Sequence, residues 1–449
     1  MLYSIYVKRE RQDILNGNII QQILLFFLPV FLGYLFQQLY NTFDAIVVGR
    51  YVGKQALAAV GGSTSTMINL LVNFILGLSS GVTVMIAQYY GGGYYNEVKE
   101  SVKTGFFMAV VLGTIMMIAG YFLTPWLLSL LNVPADIIDY SITYMRVYFL
   151  GSIPVLVYNV GSSILRAIGD SKRPLIFLIV ACISNIVLDI LFVTIFKLEV
   201  FGVALSTVIS QIISSILIIY VFYTTDDAYQ YTFKDFGYDI DILKRTLYIG
   251  LPAGIQSVLY SVSNLFIQAN VNNFGTDTIA AYTAFGKVDA LYWNYDSAFG
   301  IAVMTIAGQN YGAKNIKRVK EITIKGIILE LIGSTFIVFG CIMFGKPVLG
   351  LFTDDVNVIN IGIQMLNFLA LAWPLFNIIE VISSVTKACG DVVIPMIIAA
   401  IGICGVRIIW LITVPIDTVI KALWCYPISW IITAIAFVIY YLRGKWIKI

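Results

Sequence analysis

The sequence predicts an all-α polytopic membrane protein with twelve transmembrane helices in two pseudo-symmetric six-helix lobes. Three observations lead there. The 449 residues are 59% hydrophobic and only 12% charged, about half the charged fraction of a soluble domain. Apolar runs of more than ~18 residues recur along the whole chain, each long enough to cross a hydrocarbon core as helix. A set of residues also repeats at one constant offset, which divides the chain in two.

In order, the apolar runs lie near 18–48, 57–87, 101–131, 137–167, 174–196 and 201–223, then near 245–272, 279–310, 322–351, 358–388, 394–415 and 420–442. They are spans 1 to 12. Span 1 carries Gln37, Gln38 and Asp44 and no small-residue cleavage site, so it reads as a retained helix and not a signal peptide. Residues 1–223 form the first lobe and 244–449 the second. The polar stretch 224–243, with Asp226, Asp227, Lys234, Asp235, Asp239 and Asp241, is the linker.

Twelve spans place both termini on one side. Lys8, Arg9, Arg11, Lys99, Lys103, Arg166, Lys172, Arg173, Lys234, Lys244, Arg245, Lys314, Lys317, Arg318, Lys320, Lys325, Lys387, Arg443, Lys445 and Lys448 fall on that side, against Arg50, Lys54, Lys197, Lys346 and Lys421 opposite. Because Lys and Arg collect in cytoplasmic loops, both termini are expected in the cytoplasm, with the protein in the plasma (inner) membrane of a prokaryote. The net charge of +3 then marks topology. Membrane lipids are expected partners and nucleic acid is not. The five cysteines stand singly, without CxxC spacing, as reduced packing residues. With no histidine in the chain, a histidine-ligated metal is excluded, and a proton relay must use carboxylates, tyrosine or water.

Gln88, Tyr90, Gly91, Val98, Lys99 and Glu100 recur as Gln309, Tyr311, Gly312, Val319, Lys320 and Glu321, and Gly169, Asp170 and Pro174 as Gly390, Asp391 and Pro395. Every pair is 221 positions apart, as Gln88 is from Gln309. An even number of spans per repeat preserves orientation, so the lobes are parallel repeats. The Gly-Asp pairs read as turns, with Gly ending one helix and Pro starting the next. Pro29 with Gly33 in span 1, and Pro252 with Gly254 in span 7, predict bends.

Ionisable side chains inside a hydrocarbon core are costly and are functional candidates by default. Asp44 in span 1 joins Asn185 and Asp189, one turn apart in span 5, and Thr207 in span 6 completes the set. These hard oxygen ligands suit Na⁺. They also suit a proton, because two close carboxyl groups in a poor dielectric do not both ionise readily. Asp44 at an aqueous mouth and Asn185 as an interhelical hydrogen-bond partner is the structural alternative.

A second cluster comprises Lys287, Asp289, Trp293 and Asp296 in span 8, Glu380 in span 10 and Arg407 in span 11. Asp289, Trp293 and Asp296 form one helical stripe, and an acid beside an aromatic face receives an organic cation. A buried ion-pair network, Glu380 with Arg407 for example, is the equal alternative. Span 7 adds a polar seam, Gln256, Tyr260, Asn264 and Gln268, at i+4 spacing. Such a seam serves a substrate path or interhelical glue.

Several of these motifs carry a family resemblance across all twelve spans: Leu28-Pro29, Tyr40-Asn41-Thr42-Phe43-Asp44, Gln88-Tyr89-Tyr90-Gly91, Leu165-Arg166-Ala167-Ile168-Gly169-Asp170, Asn185 to Asp189, and Gln309-Asn310-Tyr311-Gly312. The chain resembles the multidrug and toxic compound extrusion (MATE) transporters of the MOP flippase superfamily. The resemblance implies export of cationic, amphipathic compounds in exchange for Na⁺ or H⁺. It maps a first-lobe coupling site onto Asp44, Asn185, Asp189 and Thr207. It likens Glu380 to the span 10 acid of another branch, whose span 7 acid is absent here.

The expected function is therefore an ion-coupled antiporter working by alternating access. Gln256, Tyr260, Asn264, Asp289, Trp293, Asp296 and Glu380 are candidate substrate contacts. No cofactor is expected beyond the coupling Na⁺ or H⁺, no metal beyond Na⁺ at Asp44, Asn185 and Asp189, and the chain is expected to be a monomer. A lipid-linked saccharide flippase shares this plan but calls for a more basic cavity than Arg146, Lys287 and Arg407 supply. A membrane-embedded enzyme has no nucleophile-and-base set to build on, so no catalytic residue is assigned.

Overall fold

The computed structural model describes residues 14–131 and 133–447, without the side chains of Ser63 and Phe233. Lys8, Arg9, Arg11 and Lys448, counted above among the cytoplasmic charges, lie outside the described residues. Every regular element among the described residues is helical.

Among the described residues, seventeen α-helices account for the twelve spans. The first six spans are α1 (Ile19–Val47), α2 and α3 (Lys54–Gly61, Ser63–Gly91), α4 (Tyr95–Leu130), α5 and α6 (Ile138–Leu150, Ser152–Ala167), α7 (Lys172–Ile190) and α8 (Glu199–Thr224). The next six are α9 (Ile240–Val271), α10 (Thr276–Gly312), α11 (Ile316–Leu349), α12 and α13 (Val356–Ala370, Trp373–Ala388), α14 and α15 (Val393–Ala399, Val406–Thr413) and α16 and α17 (Val419–Leu423, Cys425–Leu442).

Eight of the spans are long and apolar enough to cross a membrane as they stand. Two more qualify as bent pairs, α5 with α6 at 50° and α12 with α13 at 45°. In the second pair Trp373-Pro374 opens α13 with a proline in its first turn, where a missing N–H is harmless and the chain can change direction. α9 and α10 complete the twelve and carry the polar seam and the acidic stripe. The outward faces are apolar, with Phe122, Phe336, Phe344 and Ile412 exposed, as lipid contact requires.

The repeat has a local cause. Its four motifs are four helix ends of one design. After α6, Asp170 N–H bonds Leu165 O at 2.9 Å and Gly169 N–H bonds Arg166 O at 2.9 Å. After α13, Asp391 N–H bonds Thr386 O at 3.0 Å and Gly390 N–H bonds Lys387 O at 2.8 Å. After α3 and α10 the same pair runs from Tyr94 to Tyr89 and Gly93 to Tyr90, and from Asn315 to Asn310 and Lys314 to Tyr311. The cap residue has positive φ each time: Gly169 at 96°, Gly390 at 82°, Gly93 at 75° and Lys314 at 59°. This left-handed cap satisfies two carbonyls the helix would leave open. The Gly-Asp pairs are thus stops that fix hairpins. Asp170 then caps α7 through the Lys172 and Arg173 N–H groups, each at 3.1 Å.

Three π-helical turns interrupt the spans: Val48–Val52 after α1, Leu191–Ile195 after α7, and Ala400–Gly405 between α14 and α15. Each adds a residue to the turn and re-aims the side chains beside it.

The chain forms two compact units. The first is Leu32–Gly250. The second is residues 14–31 together with the chain from Leu251 onward. Both divisions fall inside a helix, close to Pro29 in α1 and Pro252 in α9.

Within the first unit, α4 packs on α5 and α6, and α7 on α8. Phe106 meets Phe222 edge-on at 5.1 Å, worth about 0.5–1.5 kcal/mol beyond the area buried. α9 begins in this unit, where Gly81 of α3 and Gly250 cross. A Cβ on Gly81 would run into the Thr246 carbonyl, and one on Gly250 would meet the Leu78 carbonyl at 2.5 Å. Small residues let the two backbones touch. Arg245 Nη2 adds a bond to Gln88 Oε1 at 3.1 Å.

Within the second unit, α10 is central and packs on α11, α12 and α13. Tyr292 stacks on Trp373 at 4.3 Å and 10°. The entry to α1 is held here by Arg318, which donates to Gln22 Oε1 at 3.2 Å and to the Gly17 carbonyl.

Candidate functional site

The first unit gathers the predicted coupling set. Asp44, Asn185, Asp189 and Thr207 are all buried, with Asp44 4% exposed and Asp189 0%. Helix spacing presents Asn185 and Asp189 on one face of α7, and Asp44 meets both across from α1. Ser206 Oγ donates to Asp189 Oδ1 and receives Asn185 Nδ2 at 3.4 Å. Thr207 Oγ1 donates to Val203 O at 3.1 Å.

Three oxygens of this cluster have no donor: Asp44 Oδ1, Asn185 Oδ1 and Asp189 Oδ2. Buried acceptors are ordinarily satisfied, and leaving one open costs about 1–3 kcal/mol. Asn185 and Thr207 also line a cavity of about 10 Å³, with Tyr40, Cys182, Ser210 and Gln211. That is about one water-sized sphere of room. Two of the three π turns adjoin the set, since Asp44 and Asp189 lie just before Val48–Val52 and Leu191–Ile195. Ser206 was missed in the sequence. Its signal was its place beside Thr207.

The second unit divides its predicted residues between two places. Asp289 is an acceptor for two indoles, Trp293 Nε1 at 2.8 Å and Trp373 Nε1 at 3.2 Å. Asp296, two turns on, faces Glu330 of α11 instead. Asp296 Oδ1 and both Glu330 carboxyl oxygens have no donor. Glu330 is 0% exposed and escaped the sequence reading, although a lone acid in an apolar run was signal enough. Glu380 accepts Ser384 Oγ at 3.0 Å and interacts with Asp296, Glu330 and Lys387. Gly300 makes room for it, because a Cβ there would strike Glu380 Oε1.

Two parts of the predicted cluster separate. Lys287 is exposed on α10. Arg407 makes no ion pair with Glu380: its Nη1 donates to Asn264 Oδ1 at 3.0 Å and its Nε to Ser429 Oγ at 3.4 Å. The span 7 seam is partly self-bonded, with Gln256 Nε2 on the Tyr260 hydroxyl at 2.8 Å and Gln268 Nε2 on Asn272 Oδ1 at 2.8 Å. Gln256 Oε1 remains buried without a donor.

A helical membrane protein of two repeated units, each holding buried carboxyls within its spans, has the build of a secondary transporter. The family model described as MatE matches residues 29–191 and again 252–413, once per repeat, and the chain belongs to that family. Its members are transporters and not enzymes, so this is a multi-pass plasma-membrane protein that moves small molecules. The probable multidrug resistance protein YpnP of Bacillus subtilis is 28% identical over 97% of both chains. The probable multidrug resistance protein NorM of Thermotoga maritima is 25% identical, covering 91% of this chain and 87% of its own. Among solved structures, a crystal structure of MATE in the bent conformation superposes with a TM-score of 0.89 over 98% of both chains at 22% identity. An outward-facing MATE transporter of the MOP superfamily also gives 0.89 at 22% identity, over 98% of this chain and 99% of that one. These likenesses carry the twelve-helix, two-lobe fold.

Proposed function

We propose that the protein exports amphipathic or cationic organic molecules in exchange for Na⁺ or H⁺, with Asp44, Asn185, Asp189 and Thr207 as the coupling set. The observation that carries this reading is the trio of open oxygens, Asp44 Oδ1, Asn185 Oδ1 and Asp189 Oδ2, on buried side chains, with Asn185 and Thr207 also lining a cavity of about 10 Å³. A small cation or a shared proton supplies the missing partner. Its binding energy differs between transport states, which is what coupling requires. Multidrug resistance names among the relatives support the substrate class.

Asp289, Trp293, Asp296 and Glu380, with the α9 seam of Gln256, Tyr260 and Asn264, are the proposed substrate contacts. The distribution of basic residues supports cytoplasmic termini, and the chain is taken to act as a monomer. Dye efflux from vesicles with Na⁺ and pH gradients imposed separately tests the reading. One gradient is expected to drive efflux, and Asp189→Asn is expected to abolish the drive. Undiminished gradient-driven efflux in that variant overturns it.

A further inference from the structure

Arg146 stands in α5, half-buried on the flank that α4 and α5 share in the first unit. Its guanidinium lies 5.0 Å over the Tyr121 ring of α4, and its Nε donates to the Tyr121 carbonyl at 3.3 Å. No ion pair of the described residues includes it, and among those residues its Nη groups meet no acceptor.

The flank is a lipid-facing surface. Ile118, Phe122 and Trp126 are exposed on α4, Phe122 by 72%, and Leu150 is exposed one turn beyond Arg146 on α5. A chain that crosses a membrane leaves such a face to the acyl chains. Trp126, one turn before α4 ends at Leu130, is of the type that marks the headgroup level. A charge here is costly unless a counter-group reaches it, and the arginine stem lets its head lie toward the interface.

The same face of α5 carries charge of the other sign. Asp139 lies two turns before Arg146, about 10 Å nearer the end of the span, and Asp136 just precedes the helix. Both acids are exposed and outside every ion pair of the described residues. The exposed Thr143 lies between Asp139 and Arg146. A gap open to lipid results, with a cation at its deep end, a hydroxyl within it and carboxylates at its shallow end.

We propose that this gap seats the headgroup of a phospholipid carrying a primary ammonium, a phosphatidylethanolamine. The phosphate takes the Nη fork of Arg146, which matches two of its oxygens, and the Thr143 hydroxyl. The ammonium reaches Asp139 and Asp136, and the acyl chains run along Ile118 and Phe122. In a bilayer the phosphate lies nearer the chains and the ethanolamine nearer water, so charge follows the same order along the lipid as along α5. A phosphatidylglycerol satisfies Arg146 but leaves the two acids without a cation. A phosphatidylcholine brings the cation with no N–H to donate. The site involves none of the coupling set and stands apart from the transport reading.

The test is native mass spectrometry of the full-length protein in detergent at pH 7, titrated with phosphatidylethanolamine, phosphatidylcholine or phosphatidylglycerol of identical chains. The wild type is expected to take its first ethanolamine lipid about fivefold or more tightly than either of the others. Arg146→Gln is expected to bind all three alike. Asp136→Asn combined with Asp139→Asn is expected to keep the phosphate contact and lose the preference over phosphatidylglycerol. Equal affinity of the wild type for the three lipids means bulk solvation only and overturns the proposal. A preference surviving in Arg146→Gln, or intact in the doubly substituted acid variant, overturns it too. Where Arg146→Gln fails to fold, the acid variant decides, because both of its substitutions are at exposed positions.

Discussion

Ser206 ties together the two polar residues of α7: its hydroxyl donates to Asp189 Oδ1 and receives Asn185 Nδ2 at 3.4 Å. One carboxylate oxygen is thereby fixed, and Oδ2 is left open. Removing the hydroxyl releases both side chains from their common geometry.

Ser206→Ala is therefore expected to weaken the coupling cation by about tenfold or more, since a hydrogen bond to a charged group is worth about 1.5–3 kcal/mol. The cation concentration giving half-maximal efflux measures this. Ser215→Ala, whose hydroxyl bonds the Ile212 carbonyl at 2.8 Å, away from the cavity lining, should leave that value within about twofold.

Glu330→Gln should stabilise the second unit. The carboxyl of Glu330 is buried with both oxygens open and faces Asp296. An amide gives Asp296 a fixed donor in place of the proton that the two opposed carboxyls would otherwise share. The gain expected is about 1–3 kcal/mol, read as a higher thermal midpoint in detergent. A lower midpoint would mean that Glu330 holds a partner the fold needs.

At the crossing of α3 and α9, Gly81→Ala should cost about 1–3 kcal/mol, because the obstacle is the Thr246 backbone and cannot rotate away. Gly33→Ala is the control. A Cβ there meets the Leu178 and Leu175 side chains at 3.5 and 4.0 Å, ordinary contacts, and thermal midpoints should separate the two variants clearly.

In the linker, Thr232 holds Asp235 below the usual carboxylate range, first through its hydroxyl and then through its N–H. A carboxyl depressed on folding stabilises above its unfolded value and loses that contribution as pH falls through its folded one. Amide-exchange protection at Phe233–Asp235, measured relative to the intrinsic rate at each pH, should thus hold at neutral pH and fall only under acid. Thr232→Val should move the onset to higher pH. An unchanged onset would assign the effect to Lys99 and Lys103.

Much of this was legible in the sequence, for identifiable reasons. Burial cost marks isolated polar residues in apolar runs, and so Asp44, Asn185, Asp189 and Thr207 were found from widely separated positions. The constant offset located four helix caps, because a left-handed residue leaves a glycine or a short motif behind it. Lys314 at a φ of 59° shows how such a position can be hidden. The π turns were not legible: nothing in Leu191–Ile195 distinguishes an inserted residue from regular helix. Pairing between second-unit charges also failed. Sequence spacing showed that Glu380 and Arg407 were both intramembrane, but which neighbour each met depended on the register between helices, which sequence distance does not encode.

The divisions near Pro29 and Pro252 bear on how such a chain arose. The unit completed by residues 14–31 draws its first helical stretch from the far end of the sequence, and the other draws residues 240–250 of α9 from beyond the linker. A half-length ancestor folding on this plan would have lent its leading helix end to a second copy and borrowed one in return. Gene fusion would then have made a reciprocal exchange between two chains into an internal one, with each repeat still unable to finish itself alone.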